Sequence, residues 1–477
     1  MKRTHIKLTK GIFLFAFISL LIACAPKEKE VVAVEEKEDL PLMQGPLSLP
    51  SWAINANIYE VNIRQYTPEG TINAFANHIP RLKEMGVDIL WIMPVQPISE
   101  KKRKGGLGSP YSIANYTAIN PDYGTMDDFK KMVETAHSNG MRVILDWVAN
   151  HTGFDHAWTS EHPDWYIMSG DTIRHAHDND NKPTDWYDVA DLNYENMEMR
   201  AAMMDEMAFW VRDADIDGFR CDVAGFVPTD FWAALRPKLD SIKPVFMLSE
   251  WEDIPEHFDV CFNMNYGWSF HHMLNELATG KKNANQLDSF IQAKNAKFPD
   301  HYFQMHFVTN HDENSWNGTT KERMGDAADA MTVLAYTLEG MPLVYSGQES
   351  GETKRLSFFE KDSIEWGNYE KAEFIKTLLL LKKNNKALWN GPFGGKARRL
   401  NTGEGVYAFE RQKDGDAVVV LVNLTNKPQT TSISSHYHGL KNVFSGATID
   451  IHDNDSFELP PYGYFVLSGQ EYTGGAH

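Results

Sequence analysis

Between residues 57 and 347 one pattern recurs eight times: a short run of β-branched and aromatic residues, then a stretch long enough to cross back over a sheet. The runs are NIYEVNI (57–63), VDILWIMPV (87–95), MRVILDWVA (141–149), GFRCDVA (218–224), PVFMLSEW (244–251), VCFNMNY (260–266), YFQMHFVTN (302–310) and MPLVYSG (341–347). Amphipathic helical patterns lie between several of them. TINAFANHIPRLKEMG predicts one helix with Ile72, Phe75, Ile79 and Leu82 on a shared face and Gly86 at its end. MDDFKKMVETAHSNG predicts another, closed by Gly140. Eight such pairs imply a (β/α)8 barrel, which has no sheet edges and carries its site at the C-terminal ends of the strands.

Residues 152–193 interrupt the rhythm with a segment rich in Trp, Tyr, Asp and His, too long for an ordinary loop. It reads as an inserted subdomain after strand three, which leaves the barrel to residues 51–151 and 194–392. From residue 393 the pattern changes to GVYAFERQ, DAVVVLVNLT and YGYFVLSG with Gly, Asn and Asp turns, and 393–477 is expected to be an antiparallel β-sandwich.

The beginning of the chain has its own logic. Lys2, Arg3, Lys7 and Lys10 precede GIFLFAFISLLIA, a run shorter than the about 20 apolar residues a bilayer span needs. Residues 1–23 therefore read as a signal peptide. The ending LIAC resembles a bacterial lipobox, which implies a lipid on Cys24, a polar tether over 24–50 and a place in the cell envelope, with the membrane face left open. A simple secretory signal is the alternative. With Cys24 lipidated, only Cys221 and Cys261 remain, so no disulfide framework is expected.

A hydrophobic content of 42% is enough for a large core, and 46 Lys plus Arg against 65 Asp plus Glu argues against nucleic acid or an anionic lipid surface as a partner. A neutral substrate fits better. Polar residues in buried strands are costly unless paired, so the places where these strands turn polar are informative. They cluster at the C-terminal ends: Asp146, Asn150 and His151 in strand three, Arg220 and Asp222 in strand four, Glu250 in strand five, and Asn310, His311 and Asp312 in strand seven. In a barrel these ends share one rim, which brings Asp222, Glu250 and Asp312 into one pocket. Mutual repulsion and burial raise at least one of their pKa values, so one carboxyl is expected to stay protonated near neutral pH, while Arg220 holds Asp222 ionised. Such a separation of two carboxyl groups is what retaining glycoside hydrolysis uses. Taken alone, Arg-x-Asp reads as a structural ion pair; four such motifs on successive strand ends do not.

The four stretches DWVANH (146–151), GFRCDVA (218–224), SEW (249–251) and VTNHDE (308–313) resemble the four sequence regions of the α-amylase family, glycoside hydrolase family 13, in the same order. The resemblance spans roughly residues 52–470 and implies that family's barrel, insertion and C-terminal sandwich. By position, Asp222 resembles the nucleophile, Glu250 the general acid/base, and Asp312 the third acid, which grips sugar hydroxyls. His151 and His311 would bond hydroxyls in the same subsite, Arg220 would steady the nucleophile and Asp146 would brace the network. Tyr111, in GSPYSIANYTAINPDYGT, falls where the family places a tyrosine under the reacting sugar. Asn150 and Asp191 fall near positions that ligate calcium in many members, although one amide and one carboxylate alone do not make a site. The run HAHDNDNKPTD reads as a solvated loop before it reads as a cation trap. No organic cofactor is implied.

Two departures stand out. Where many members have Lys-His after the nucleophile's strand, this chain has Gly225 and Phe226, and VADLN (189–193) is intermediate between forms associated with different linkages. The expected activity is retaining hydrolysis of α-glucosidic bonds in starch-like or malto-oligosaccharides, with α-1,4 and α-1,6 both open. A glucan transglycosylase or trehalose-forming isomerase would use the same residues. A catalytically silent glycan-binding lipoprotein is the reading from another class, opposed by the complete set of acids. A phosphosugar barrel would have a Gly-rich phosphate loop after strands seven and eight, where this chain has NHDENSWNG.

Overall fold

The computed structural model describes residue 47 and residues 49–298 and 301–470. The expected signal peptide, Cys24 and all of the expected tether except residues 47, 49 and 50 lie outside the described residues.

Eight parallel strands close into a barrel in sequence order: β1 (Ile58–Val61), β2 (Ile89–Ile92), β3 (Arg142–Trp147), β4 (Gly218–Cys221), β5 (Phe246–Ser249), β6 (Met264–Tyr266), β7 (Gln304–His306) and β8 (Met341–Tyr345), with β8 pairing back to β1. Each falls inside one of the eight apolar runs and is shorter than its run. The difference matters at β7, which ends at His306, so Asn310 sits on the loop beyond it and His311 and Asp312 open the helical turn that follows, rather than lying in the strand. Likewise Asn150 and His151 lie past the end of β3. His151 opens a separate short strand, His151–Gly153, which pairs antiparallel with Val189–Asp191 and frames the inserted segment.

Side chains alternate along each strand, and the inward set changes character from one end to the other. Ile58, Ile89, Trp91, Ile144, Phe246, Leu248, Met264 and Met305 pack together inside the barrel. Two residues further along the same faces stand Glu60, Asp146 and Glu250, and Arg220 and Asp222 follow Gly218 with the same parity. The parallel register sets Asp146 opposite Arg220 and Arg220 opposite Leu248. Leu49 is buried in the same cluster.

The helix expected over residues 71–86 is two helices, Ile72–Ala76 and Ile79–Met85. Pro80 has no N–H to bond back to residue 76, so a continuous helix cannot form there. The four predicted apolar positions are buried all the same, and Gly86 closes the second helix at φ 95°.

The C-terminal unit has a six-stranded antiparallel sheet built on β10 (Val406–Lys413) and β11 (Asp416–Asn423), flanked by β9 (Arg398–Leu400) and the closing strand Tyr464–Gln470, with a separate two-stranded sheet, Gln429–Ile433 with Asp455–Leu459. The run AVVVLV inside β11 is apolar throughout because both faces of the strand are covered. Ala417, Val419 and Leu421 face the sandwich interior, whereas Val418, Val420 and Val422 belong to the cluster that includes the barrel helices. Arg411, buried on β10, donates to the carbonyls of Thr337 and Leu338 at the end of a barrel helix and so stitches the two units together. Cys221 and Cys261 are buried free thiols.

Gly218 opens β4 where a Cβ would lie 1.8 Å from the carbonyl oxygen of Phe246. Gly218→Ala is therefore expected to force β4 and β5 apart and to lower stability by about 3 kcal/mol or more. A urea midpoint equal to the parent's would contradict this close approach.

Candidate active site

The site is built around one cation that has no access to water. The Arg220 side chain is fully buried at the C-terminal end of β4. Its Nη1 donates to Asp146 Oδ1 at 2.9 Å and Asp222 Oδ1 at 3.0 Å, and its Nε donates to Tyr266 Oη at 3.1 Å. Its Nη2 makes an ion-pair contact with Glu250 Oε1 without hydrogen-bond geometry. The rings of Trp91, Tyr111 and Tyr266 surround the guanidinium carbon, with centroids 5.1, 5.8 and 5.5 Å away. Three carboxyl groups from adjacent strands are thus tied to one guanidinium, the kind of pairing a buried charge requires.

The carboxyls do not share the proton load equally. Burial raises Glu250 most, to about 8, with the neighbouring charges of Asp222 and Asp312 adding to the rise against the pull of Arg220. Burial also raises Asp222, to about 6; Arg220 opposes that rise and Asp146 adds to it. Asp222 and Glu250 contact the two terminal nitrogens of the same guanidinium and Glu250 feels the charge of Asp222, so one proton between them is the stable state near neutrality. Glu250 Oε2 accepts from the Val223 N–H at 2.8 Å. Val223 is held at φ 36°, a left-handed conformation that costs a β-branched residue about 1–3 kcal/mol.

A second buried cation balances the opposite side. His311 Nδ1 lies 2.5 Å from Glu60 Oε1, and its Nε2 lies 2.8 Å from Tyr111 Oη and 3.4 Å from Asp312 Oδ2. Burial alone would lower its pKa, but Asp312 and Glu60 outweigh that and push it up to about 9. A doubly protonated ring donates to Glu60 and to the Tyr111 oxygen, leaving the Tyr111 hydroxyl to donate to Asp146 Oδ2 at 3.1 Å. Five carboxyls, Glu60, Asp146, Asp222, Glu250 and Asp312, therefore face Arg220 and His311. The Asp312 side chain is 36% exposed, the most open of the three expected catalytic acids, and is placed to reach a bound molecule.

Asp222, Glu250, Asp312, His151 and His311 line one cavity of about 650 Å³, as the strand-end argument expects, and Tyr111, which only the resemblance indicated, lines it with them. Arg220 and Asp146 stand beneath it. His151 is lowered by burial to about 4 and enters as a neutral ring. Residues 185–189 of the inserted segment form part of the wall, and Lys104 ties that segment down through the Asp185 carbonyl at 2.6 Å and Asp188 at 3.4 Å. Trp186, Phe226 and Trp251 make a continuous aromatic face next to His151, with centroids 6.0 and 5.3 Å apart. Gly225 permits it, because a Cβ there would lie 2.2 Å from the Trp251 ring.

Asn150 and Asp191 do not offer a cation site in this arrangement. Arg174 donates to Asp191 Oδ2 from Nε at 3.0 Å and from Nη2 as well, so a guanidinium already holds the carboxylate on which a calcium ion would depend. The Asn150 amide lies against His151 Nδ1 at 3.2 Å. Among the described residues no group of three His, Cys, Asp or Glu side chains is disposed to hold a metal ion.

Sequence reasoning overlooked Glu60, Trp91 and Tyr266. Glu60 carried a readable signal, since a carboxylate in the buried run NIYEVNI needs a partner by the same argument that singled out Asp222. Tyr266 and Trp91 read as ordinary core aromatics, and only the closed barrel shows them walling in the guanidinium. The aromatic face at Trp186 and Trp251 had no spacing signal, because its members come from two loops and a turn.

An eight-stranded barrel whose strand ends gather two unequal carboxyls and a third acid in one cleft is the layout of a glycoside hydrolase. Residues 53–387 match the α-amylase catalytic domain and residues 398–466 match the maltogenic amylase C-terminal domain, and the chain belongs to the α-amylase family. It is 27% identical over 417 residues to an α-amylase from Haloarcula japonica, covering 83% of this chain and 59% of that protein. To a cyclomaltodextrin glucanotransferase from Geobacillus stearothermophilus it is 26% identical over 477 residues, covering 86% of this chain and 64% of that one. The chain thus spans less than two thirds of either relative. The crystal structure of a noncanonic maltogenic α-amylase from Thermotoga neapolitana superposes with a TM-score of 0.77 at 27% identity, covering 88% of this chain and 99% of that one.

Because Arg174 already satisfies Asp191, exhaustive dialysis against EDTA is expected to leave the thermal midpoint unchanged, whereas Arg174→Ala lowers it. A midpoint that falls with EDTA and returns with calcium would contradict this reading of the Asp191 carboxylate.

Proposed function

We propose that this chain is a retaining α-glucan hydrolase acting on starch-like polysaccharides or malto-oligosaccharides, with Asp222 as nucleophile and Glu250 as general acid and base. The observation that carries the reading is two carboxyls from adjacent strand ends held by one buried guanidinium, with a third acid lining the same cavity. Asp222, kept ionised by Arg220, attacks the anomeric carbon while Glu250 passes its proton to the departing glycosidic oxygen, which breaks the bond and leaves the sugar esterified to Asp222. The ionised Glu250 then takes a proton from water as that water attacks the same carbon, releasing Asp222 and restoring the acid. Inverting enzymes keep their carboxyls about 6.5–9.5 Å apart to admit a water, and the hold of one guanidinium on both Asp222 and Glu250 favours the closer spacing of retaining enzymes. Asp312 is assigned to the sugar hydroxyls, the His311 imidazolium to holding Tyr111 and Asp312 in place, and the Tyr111 ring to the floor under the reacting sugar.

One observation favours a second reading, in which a sugar rather than water takes the glycosyl group. Trp186 lines the cleft with the two catalytic carboxyls and continues into an aromatic face with Phe226 and Trp251, and apolar ring faces suit a pyranose. A relative named as a glucanotransferase is consistent with it. A location in the cell envelope, lipid-anchored through Cys24, is proposed on residues 1–24 of the sequence alone.

Asp222→Asn and Glu250→Gln are each expected to lower kcat on maltoheptaose at least about a thousandfold without unfolding the chain. Proton NMR of the first product from the parent should show the α-anomer; a β-anomer would contradict retention. If glucan chain lengths redistribute while no reducing ends appear, transfer replaces hydrolysis. The pH profile of kcat/KM should be a bell, lost below about 6 as Asp222 takes a proton and above about 8 as Glu250 gives one up. A profile flat from pH 5 to 9 would remove the proton assignment.

A further inference from the structure

Closing the barrel in sequence order sets β8, β1 and β2 side by side, with β4 and β5 across the mouth from them. Glu250, which protonates the departing oxygen in the reaction proposed above, directly follows β5, so the leaving part of a chain runs out over the β4 and β5 side. The part retained on Asp222 points the other way, toward the loops after β8 and β2. Because the attacked carbon is the anomeric one, this retained part ends in the non-reducing terminus of the chain.

On that side residues 99–109, SEKKRKGGLGS, cross from the inserted segment to the loop after β8 and are fastened to both. Toward the insertion, Asp155 Oδ2 accepts the N–H groups of Glu100 and Lys101 at 2.7 and 3.2 Å, and Lys104 donates to the Asp185 carbonyl at 2.6 Å. Toward β8, the Gly106 N–H donates to Glu360 Oε1 at 2.6 Å and the Leu107 N–H to the Phe359 carbonyl at 2.9 Å. Buried Arg64 ties the two loops together, donating from Nη1 to the Gly108 carbonyl at 3.1 Å and from Nη2 to the Phe358 carbonyl at 2.6 Å. The approach leaves no room for side chains: a Cβ at Gly105 would lie 2.5 Å from Phe359 Cβ, and one at Gly106 2.4 Å from Glu360 Oε2.

This strap also forms part of the cleft. Lys104 and Ser109 line the cavity that holds the three acids, together with Phe358 and Phe359 of the loop it is bonded to. Trp316, 52% exposed, lines the same cavity and packs on both phenylalanines, with centroids 5.1 and 5.8 Å away. A bonded wall therefore runs from the inserted segment across the strap to the loop after β8. The enclosed volume of about 650 Å³ suits a short ligand rather than a long chain.

We infer that the strap is an end wall for the retained side of the substrate, so that the enzyme trims short pieces from the non-reducing ends of α-glucan chains instead of cutting them internally. The inference rests on the substrate reading above and adds to it the mode of attack.

The test compares maltoheptaose with maltoheptaose carrying a 4,6-O-ethylidene group on its non-reducing terminal glucose, following new reducing ends. The parent is expected to cleave the blocked sugar at least about a hundredfold more slowly. Two variants open the wall: replacement of residues 102–106 by two glycines, and Gly106→Asp, which sets a second carboxylate against Glu360. In each, once a parental thermal midpoint is confirmed, the ratio of the two rates should fall at least about tenfold. Equal rates on both sugars in the parent overturn the end wall and leave hydrolysis standing. A folded variant that keeps the parental ratio overturns the strap as its cause, and if neither variant folds the parental ratio decides by itself. A parent that cleaves neither sugar overturns the substrate reading and this inference with it.

Discussion

A guanidinium taken wholly out of water is the constraint on which the rest of the structure depends. Burying Arg220 costs several kcal/mol unless its charge and donors are met, and here they are met by Asp146, Asp222, Glu250 and Tyr266 together. Those partners come from β3, β4, β5 and β6 or the turns just after them, so the pairing demands the strand register that brings them level. Gly218, two residues before Arg220, lets β4 approach β5 closely enough for Glu250 to reach the guanidinium. The strained backbone of Val223, which aims its N–H at Glu250, belongs to the same arrangement. Stability and chemistry therefore rest on one cluster, and a change that frees any carboxyl from it leaves a buried charge behind.

The same cluster sets the division of labour between the acids. Arg220 touches both Asp222 and Glu250, but Asp222 receives a hydrogen bond from Nη1, while Glu250 lacks hydrogen-bond geometry with Nη2 and faces the charges of Asp222 and Asp312. Burial, with the charges of Asp222 and Asp312 beside it, leaves the proton on Glu250. His311 adds a second positive charge on the far side, so Asp312 can remain partly open to the cleft without leaving the network. Around this centre the inserted segment and the loop after β8 supply walls of Trp186, Tyr187, Phe358 and Phe359 that are absent from the strands themselves.

The barrel was legible in the sequence because each strand is buried on both sides and so appears as an unbroken apolar run. Asp222 and Glu250 were legible for the complementary reason, that a charge in such a run must have a purpose, and Asp312 by its place in VTNHDE just beyond the seventh run. What escaped notice depends on contacts between distant segments. Pro80 announced the break in the helix over residues 72–85, yet the spacing of Ile72, Phe75, Ile79 and Leu82 imitates one helix because both pieces bury the same side. Asp191 looked like half of a cation site, and nothing in its neighbourhood discloses that Arg174 folds back on it across the insertion. Val223 sits in a left-handed conformation that no residue-type preference would suggest.

The account stands on where one proton resides. Neutron diffraction from a deuterated crystal at pH 7 locates it directly. It should show a deuteron on a Glu250 carboxyl oxygen, none on Asp222, and deuterons on both ring nitrogens of His311. A bare Glu250 with the deuteron on Asp222 would contradict it.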